Sequence, residues 1–346
     1  MYLISTIGPS CNSKSILKDL KQAGCNYYRV NLSHASIEEM KKYNSISKDI
    51  GINLAIDLEG AQIRTKIANN KYFNVKSNQT LLISLNNQDK KSIFSLSPNY
   101  IKDRLKIGDK LRVGFNGVLL EIISINNEQI ELSVLREGII ENNKGVDCIN
   151  RIVELESFTE KDIEAISLCN KLNIDTVYIS FCQNVLPIRK IKNINKNLKI
   201  ISKIETRLSI HNLQEICSES DAILIDRGDL SRQISVLDIP FAQRGIINVA
   251  RRFNTPCFIA TNILDTLIEN DLPSRAELND IVSIIEMGAE GIVLAAETAI
   301  GKKPQLCIEI VREMIHKSKM HKDGLLFADI DRNEITDNGM KLWLNR

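Results

Sequence analysis

Apolar residues in this chain fall into short unbroken runs, set apart by longer amphipathic stretches, and the alternation recurs with a regular stride. Eight runs read as strands: Tyr2–Ile7, Tyr27–Leu32, Leu54–Asp57, Thr176–Ser180, Lys199–Ile204, Ala222–Asp226, Cys257–Thr261 and Gly291–Leu294. Runs as uniformly apolar as Ala222-Ile-Leu-Ile225 suit parallel strands covered on both faces, so their charged residues belong at the ends. Between most of the runs lie helix-start signals. Ser13 precedes Ile16, Leu17 and Leu20, while Thr159-Glu-Lys-Asp162 and Ser274-Arg-Ala-Glu277 match capping boxes ahead of Ile163 and Ile281. Strand and helix repeated eight times predict an α/β protein folded as a (β/α)8 TIM barrel, with its chemistry at the C-terminal ends of the strands.

The stride breaks between 66 and 150. Here apolar and polar residues alternate, as in Thr80-Leu-Leu-Ile-Ser-Leu85, Lys110-Leu-Arg-Val113 and Gln129-Ile-Glu-Leu-Ser-Val134, and Asn116-Gly117 signals a turn. The pattern predicts a small all-β domain, a β-barrel, inserted after the third barrel strand and serving as a lid over a ligand. The TIM barrel then takes 1–65 and 151–319. A tail of 320–346 follows, its periodicity faded, with a terminal helix expected around Met340–Trp343.

Composition narrows the class. With 346 residues, 43% hydrophobic and 25% charged, the chain can bury a full core. A net charge of +2 without a basic, aromatic-laced stripe argues against nucleic acid as a partner. No 18-residue apolar run and no signal peptide pattern are present, so no membrane association is expected. Eight scattered cysteines, without a C-x-x-C pair or zinc-type spacing, read as buried thiols of a reduced, cytoplasmic protein.

At the predicted strand ends the polar residues are numerous. Gly8-Pro-Ser10, Asn31-Leu-Ser-His34, Asp57 with Arg64, Ser180-Phe181, Lys203 with Glu205, Asp229, Thr261-Asn262 and Glu297-Thr298 all fall there. Arg29, Arg64 and Lys203 suit a multiply charged phosphate or carboxylate. Glu205 and Asp229 offer only oxygen acceptors, as Mg2+ or Mn2+ prefers. Phosphoryl transfer or enolate stabilisation is the implied chemistry. Plainer roles stay open for single residues: Arg29 could pair with Asp57 inside the barrel, and His34 could be a capping side chain.

Several stretches together resemble the pyruvate kinase family. They are Thr6-Ile-Gly-Pro-Ser10, Arg29-Val-Asn-Leu-Ser-His34, Ile56-Asp-Leu-Glu-Gly-Ala-Gln-Ile-Arg-Thr65, Ser202-Lys-Ile-Glu205, Arg227-Gly-Asp-Leu230, Ala260-Thr-Asn-Ile-Leu264, Pro273-Ser-Arg-Ala-Glu277 and Glu297-Thr-Ala-Ile-Gly301, in family order from Met1 to about Lys319. The resemblance implies a glycolytic enzyme that moves the phosphoryl group of phosphoenolpyruvate to ADP. It implies that Lys203 stabilises the phosphoryl group and the enolate, that Glu205 and Asp229 hold the divalent metal, and that Gly228, Asp229 and Thr261 receive the substrate carboxylate. Arg29 and Arg64 would steady the transferring phosphate. Asn31, Ser33, Asp57 and the carbonyl of Leu58 match the family's potassium site, Pro9 and His34 fall where its nucleotide binds, and Lys144-Gly-Val146 resembles its phosphate-contacting hinge. A homo-oligomer is compatible with the resemblance.

The departures are as specific. The family's Asp-Thr-Lys-Gly-Pro-Glu becomes Asp57-Leu-Glu-Gly-Ala-Gln62, which reverses one charge and removes another, and weighs against potassium dependence. Asp226 stands where the family usually has alanine, Ser231 replaces a glycine, Ala295-Ala296 replaces Ser-Gly, and Phe115-Asn116 replaces paired aspartates. The family's C-terminal domain, which carries sugar-phosphate regulation, has no expected counterpart. Two other functions fit the same residues: an enzyme using phosphoenolpyruvate or pyruvate with a sugar or another small acceptor, and a non-catalytic phosphoenolpyruvate-binding regulator.

Overall fold

The computed structural model describes residues 1–60, 62–67, 72–84, 94–114, 117–126 and 129–323. The expectations for Phe115-Asn116 and for a helix around Met340–Trp343 lie outside those residues. The chain forms two compact units, one of Met1–Leu58 with Ile163 onward, the other of Glu59–Asp162.

Each predicted barrel run becomes a strand whose ends lie within one residue of expectation. They are β1 (Tyr2–Thr6), β2 (Tyr27–Asn31) and β3 (Asn53–Asp57); then, after nine strands of the insertion, β13 (Thr176–Ile179), β14 (Lys199–Ile204), β15 (Ala222–Asp226), β16 (Cys257–Ala260) and β17 (Gly291–Leu294). All eight pair in parallel and close into a barrel in the order β1-β17-β16-β15-β14-β13-β3-β2. Helices occupy the intervals: α1 (Lys14–Ala23), α2 (Ile37–Ile50), α3 (Glu160–Leu172), α4 (Leu186–Ile194), α5 (Arg207–His211), α6 (Leu213–Glu219), α7 (Arg227–Gln233), α8 (Ile239–Arg252), α9 (Arg275–Glu286), α10 (Ala296–Ala299) and α11 (Pro304–Lys322). The start signals act as read. Ser13 accepts from the Ile16 amide, Ser274 and Glu277 exchange reciprocal bonds, and so do Thr159 and Asp162.

Side chains two positions apart on a strand share a face, and this places the site. Ile4, Ala55, Tyr178, Ile201, Leu224, Phe258 and Val293, from seven strands, form one apolar cluster with Tyr27 packed against it. Two residues further along the same strands come Thr6, Arg29, Asp57, Ser180, Lys203 and Asp226. Thus a polar layer lies directly on an apolar one, at the C-terminal end of the barrel.

The second unit carries β4 (Ile63–Lys66), β5 (Phe73–Val75), β6 (Thr80–Ser84), β7 (Ser95–Ser97), β8 (Lys110–Val113), β9 (Val118–Ile125), β10 (Gln129–Arg136), β11 (Gly138–Ile140) and β12 (Gly145–Cys148). Its alternating residues bury one face, with Leu81, Leu111, Leu120, Ile122, Leu132 and Val134 in the core. Two corrections apply to this unit. Its limits are 59 and 162 instead of 66 and 150, because the Asp162 carboxylate accepts the amides of Glu59 and Gly60 at 2.8 and 3.1 Å and joins the two crossing strands. Among the described residues its main sheet is antiparallel and open, in the order β6-β10-β9-β8-β12-β4-β7, and not a closed β-barrel; β5 and β11 pair with each other in a separate ribbon. At the chain's other end α11 runs on to Lys322, past the expected start of the tail.

The eight cysteines are free thiols, all but Cys148 buried. Among the described residues no helix is long and apolar enough to cross a membrane.

Two substitutions test these contacts. A Cβ on Gly291 would lie 2.6 Å from the Tyr2 carbonyl on the paired strand and 2.7 Å from the Phe258 ring, so Gly291→Ala is expected to destabilise the barrel by about 1–3 kcal/mol in urea unfolding. An unchanged midpoint would contradict the β1–β17 register. Asp162→Ala strands the buried amide of Gly60 and the half-buried amides of Glu59 and Thr159 and is expected to cost about 1–3 kcal/mol, read as a lower thermal midpoint.

Candidate active site

Lys203 is the centre of the polar layer. Its ammonium lies 3.1 Å from Glu205 Oε2, 3.3 Å from Asp226 Oδ2 and 3.7 Å from Asp57 Oδ2, on a side chain 6% exposed, and it donates to Ser180 Oγ at 3.2 Å. These acids come from the ends of β3, β14 and β15, and strand register brings them together. Burial alone would favour the neutral amine. The carboxylates of Asp57, Glu205, Asp226 and Asp229 outweigh it and hold Lys203 protonated well above the ordinary lysine range.

Arg29 is the second buried cation. Its Nη1 lies 3.3 Å from Asp57 Oδ2, its Nε donates to Thr6 Oγ1 at 3.0 Å, and its guanidinium sits over the Tyr178 ring at 6.0 Å. The plain pairing of Arg29 with Asp57 is therefore present, inside a larger network that also includes Lys203.

Beyond the strand ends the backbone takes uncommon conformations. Phe181, at φ +53°, turns its amide onto Glu205 Oε1 at 2.5 Å. Thr261 and Asn262 have φ of +75° and +54°, and for a β-branched threonine that costs on the order of 1–3 kcal/mol. Arg227 holds this stretch. Its guanidinium donates to the carbonyls of Thr261 and Asn262 and is itself fixed by Asp280 at 2.6 Å. Thr261 Oγ1 donates to Asp226 Oδ1 at 2.8 Å. Gly228 fits under this loop because a Cβ there would meet Thr261 Cγ2 at 2.9 Å.

Glu205, Asp226 and Asp229 each place a carboxylate oxygen within 4.8 Å of the others. Burial, opposed by Lys203 and reinforced by Asp229 and Asp226, pushes Glu205 up to about 8. Burial, with the nearby Asp226, also raises Asp229, whose Oδ1 accepts from Arg232 at 3.2 Å. Asp226 shifts the other way. Burial opposes it, but Lys203, the Thr261 hydroxyl and Arg29 hold it below the ordinary carboxylate range. Glu205 Oε2 is buried and accepts no hydrogen bond, although Lys203 is close. Three convergent carboxylates with an unsatisfied oxygen fit a hard divalent cation.

The remaining expected residues are distributed as follows. Asn31 Oδ1 accepts the Ser33 amide at 2.9 Å, the Asp57 carbonyl accepts the Leu32 amide, and the Leu58 amide donates to Tyr178. Both Asp57 carboxylate oxygens already face Ser180, Arg29 or Lys203. Pro9 opens a short 3-10 turn and His34 follows β2, both exposed. Arg64 and Lys144 belong to the inserted unit, Arg64 on β4 and Lys144 just before β12: Arg64 pairs in register with Gly145 and donates to the Asn143 carbonyl at 3.2 Å, and Lys144 meets Glu141 at 3.2 Å. Glu297, at the polar rim by sequence, is a structural anchor whose carboxylate accepts the amides of Ile263, Leu264 and Ala295. The residue that sequence reasoning left out of the site is Asp226. It reads there as a mere departure, although its place at the very end of the Ala222–Asp226 run is the signal that puts it on the rim.

Comparison with known proteins agrees with this architecture. The model of the family described as "Pyruvate kinase, barrel domain" matches residues 1–308. A pyruvate kinase of Thermotoga maritima is 28% identical over 97% of this chain and 74% of its own length. That of Borreliella burgdorferi is 30% identical over 94% and 70%, and that of Buchnera aphidicola 33% over 87% and 66%. Among solved structures, a pyruvate kinase from Cryptosporidium parvum superposes with a TM-score of 0.81 at 26% identity, covering 96% of this chain and 74% of the other. The chain therefore belongs to the pyruvate kinase family of phosphotransferases.

Proposed function

We propose that the protein transfers the phosphoryl group of phosphoenolpyruvate to ADP, giving pyruvate and ATP, with Mg2+ or Mn2+ as cofactor. One observation carries this reading: a buried lysine, kept charged by four carboxylates, stands beside an acidic clasp that has an unsatisfied oxygen. Glu205 and Asp229 would hold the divalent ion. When bound, that ion supplies positive charge at the phosphoryl and enol oxygens.

The chain's own groups do the rest. Lys203 would place a fixed positive charge where negative charge develops on the bridging oxygen, as its bond to phosphorus breaks and it becomes the enolate oxygen, in a site where burial strengthens the interaction. Arg29 adds a second charge on the phosphoryl side. The Gly228 and Asp229 amides would take the substrate carboxylate, and the Thr261 hydroxyl, held at the rim by its strained loop, would join them by turning its one proton away from Asp226 Oδ1. Arg64 and Lys144 keep the phosphate roles that the resemblance gives them, and Pro9 and His34 the nucleotide. Asn31, Ser33, Asp57 and Leu58 would surround a monovalent ion. Two cations already on the Asp57 carboxylate weigh against a potassium requirement.

A second reading keeps phosphoenolpyruvate and changes the acceptor to a sugar or other small molecule, favoured by the altered Asp57-Leu-Glu-Gly-Ala-Gln62 stretch. An assay for pyruvate released from phosphoenolpyruvate, with Mg2+ and with ADP or sugars supplied separately, decides between them. Release with ADP alone is expected, with or without potassium. Lys203→Met and Asp229→Ala are each expected to lower turnover by about a hundred- to a thousandfold while circular dichroism stays native. Wild-type rates in either variant would sink the site.

A further inference from the structure

We propose that Asp226 is a third carboxylate ligand of the divalent cation, so that the protein holds this ion firmly before any substrate is present. The inference rests on the reading above and assigns a residue which that reading does not use. Asp226 ends β15, and one of its oxygens joins one from Glu205 and one from Asp229 in a set lying within 4.8 Å throughout. Carboxylates so close repel one another; Lys203, 3.1 and 3.3 Å from Glu205 and Asp226, relieves part of that, and a divalent cation among all three would relieve more.

A second observation points the same way. Glu205 is fully buried, its Oε1 is taken by the Phe181 amide, and its Oε2 accepts no hydrogen bond. The Lys203 ammonium lies 3.1 Å away without hydrogen-bonding geometry. A buried carboxylate oxygen left so is one that a cation completes.

Charge balance gives the third step. In and around the polar layer Asp57, Glu205, Asp226 and Asp229 stand against Lys203, Arg29 and Arg232. Four carboxyl groups there share three bases, so one of them has no basic partner of its own. Lys203 does not need Asp226, since Glu205 and Asp57 already lie 3.1 and 3.7 Å from it. Nor does ligation require Asp226 to give up its partners. Oδ1 accepts from Thr261 and Oδ2 faces Lys203, but each oxygen has a further lone pair.

The test is Mn2+ binding to the full chain, followed by electron paramagnetic resonance without phosphoenolpyruvate or nucleotide. It compares wild type with Asp226→Asn, Asp226→Ala and Glu205→Gln, with thermal melting as the check on folding. Asparagine keeps the shape and the acceptor for Thr261 while removing the charge, so it remains informative if alanine unfolds the loop. Both Asp226 variants are expected to bind Mn2+ at least about tenfold more weakly, as is Glu205→Gln. Unchanged affinity in folded Asp226→Asn alongside a loss in Glu205→Gln would overturn the third ligand and leave the metal site standing. Unchanged affinity in both would overturn the third ligand and, with it, the metal centre of the proposed function.

Discussion

The structure of the barrel unit turns on keeping one ammonium charged inside a protein. Removing Lys203 from water costs several kcal/mol, and only close, well-placed carboxylates offset that. Here they come from separate strands. Asp57 sits on β3, Glu205 one residue past β14, and Asp226 at the end of β15. Their spacing is set by parallel register, in which Asp57 lies opposite Tyr178, Ile179 opposite Ser202 and Lys203 opposite Leu224. A slip of one residue in any of these ladders would turn a charged side chain away from the barrel axis. The apolar cluster below, from Ile4 to Val293, makes that slip expensive, so the greasy layer fixes the charged one.

A second dependence runs through the loops. Thr261 and Asn262 hold left-handed conformations, an unfavourable one for the β-branched Thr261, and the Arg227 guanidinium holds their carbonyls. Arg227 in turn rests on Asp280 of α9 and Gln243 of α8. The helices behind the barrel therefore position a hydroxyl at its mouth. In the Arg227-Gly-Asp-Leu230 stretch the arginine and glycine shape the loop around Thr261, and the aspartate belongs to the acidic clasp.

What is legible in the sequence follows from what each element must bury. Barrel strands covered on both faces leave unbroken apolar runs, so their ends can be read almost to the residue, and the charges that follow the runs mark the rim. The inserted unit is harder. Alternation reveals its strands, but whether a sheet closes depends on edge pairing, which no single strand's pattern encodes; β5 and β11, each three residues long, pair off where closure was expected. Its limits were also hidden, because Glu59 and Gly60 are held by Asp162 across about a hundred residues of chain. Lys203, Glu205 and Asp229 were visible as types suited to the chemistry. Asp226 was visible only as an oddity, since its role depends on neighbours supplied by two other strands. Glu297 was misleading in the opposite sense: a carboxylate at the rim that serves the backbone.

Asp226 also changes how an anion can enter. Lys203 and Arg29 are already matched by nearby carboxylates, and a phosphate approaching them meets those acids at nearly the same distance. The attraction of the cations is thus largely spent within the protein. A substrate bearing several negative charges gains little here unless another positive charge arrives with it or before it. The same carboxylates that hold Lys203 charged therefore tie anion binding to cation binding, and an additional acid at the end of β15 tightens that tie by adding negative charge without a new basic partner.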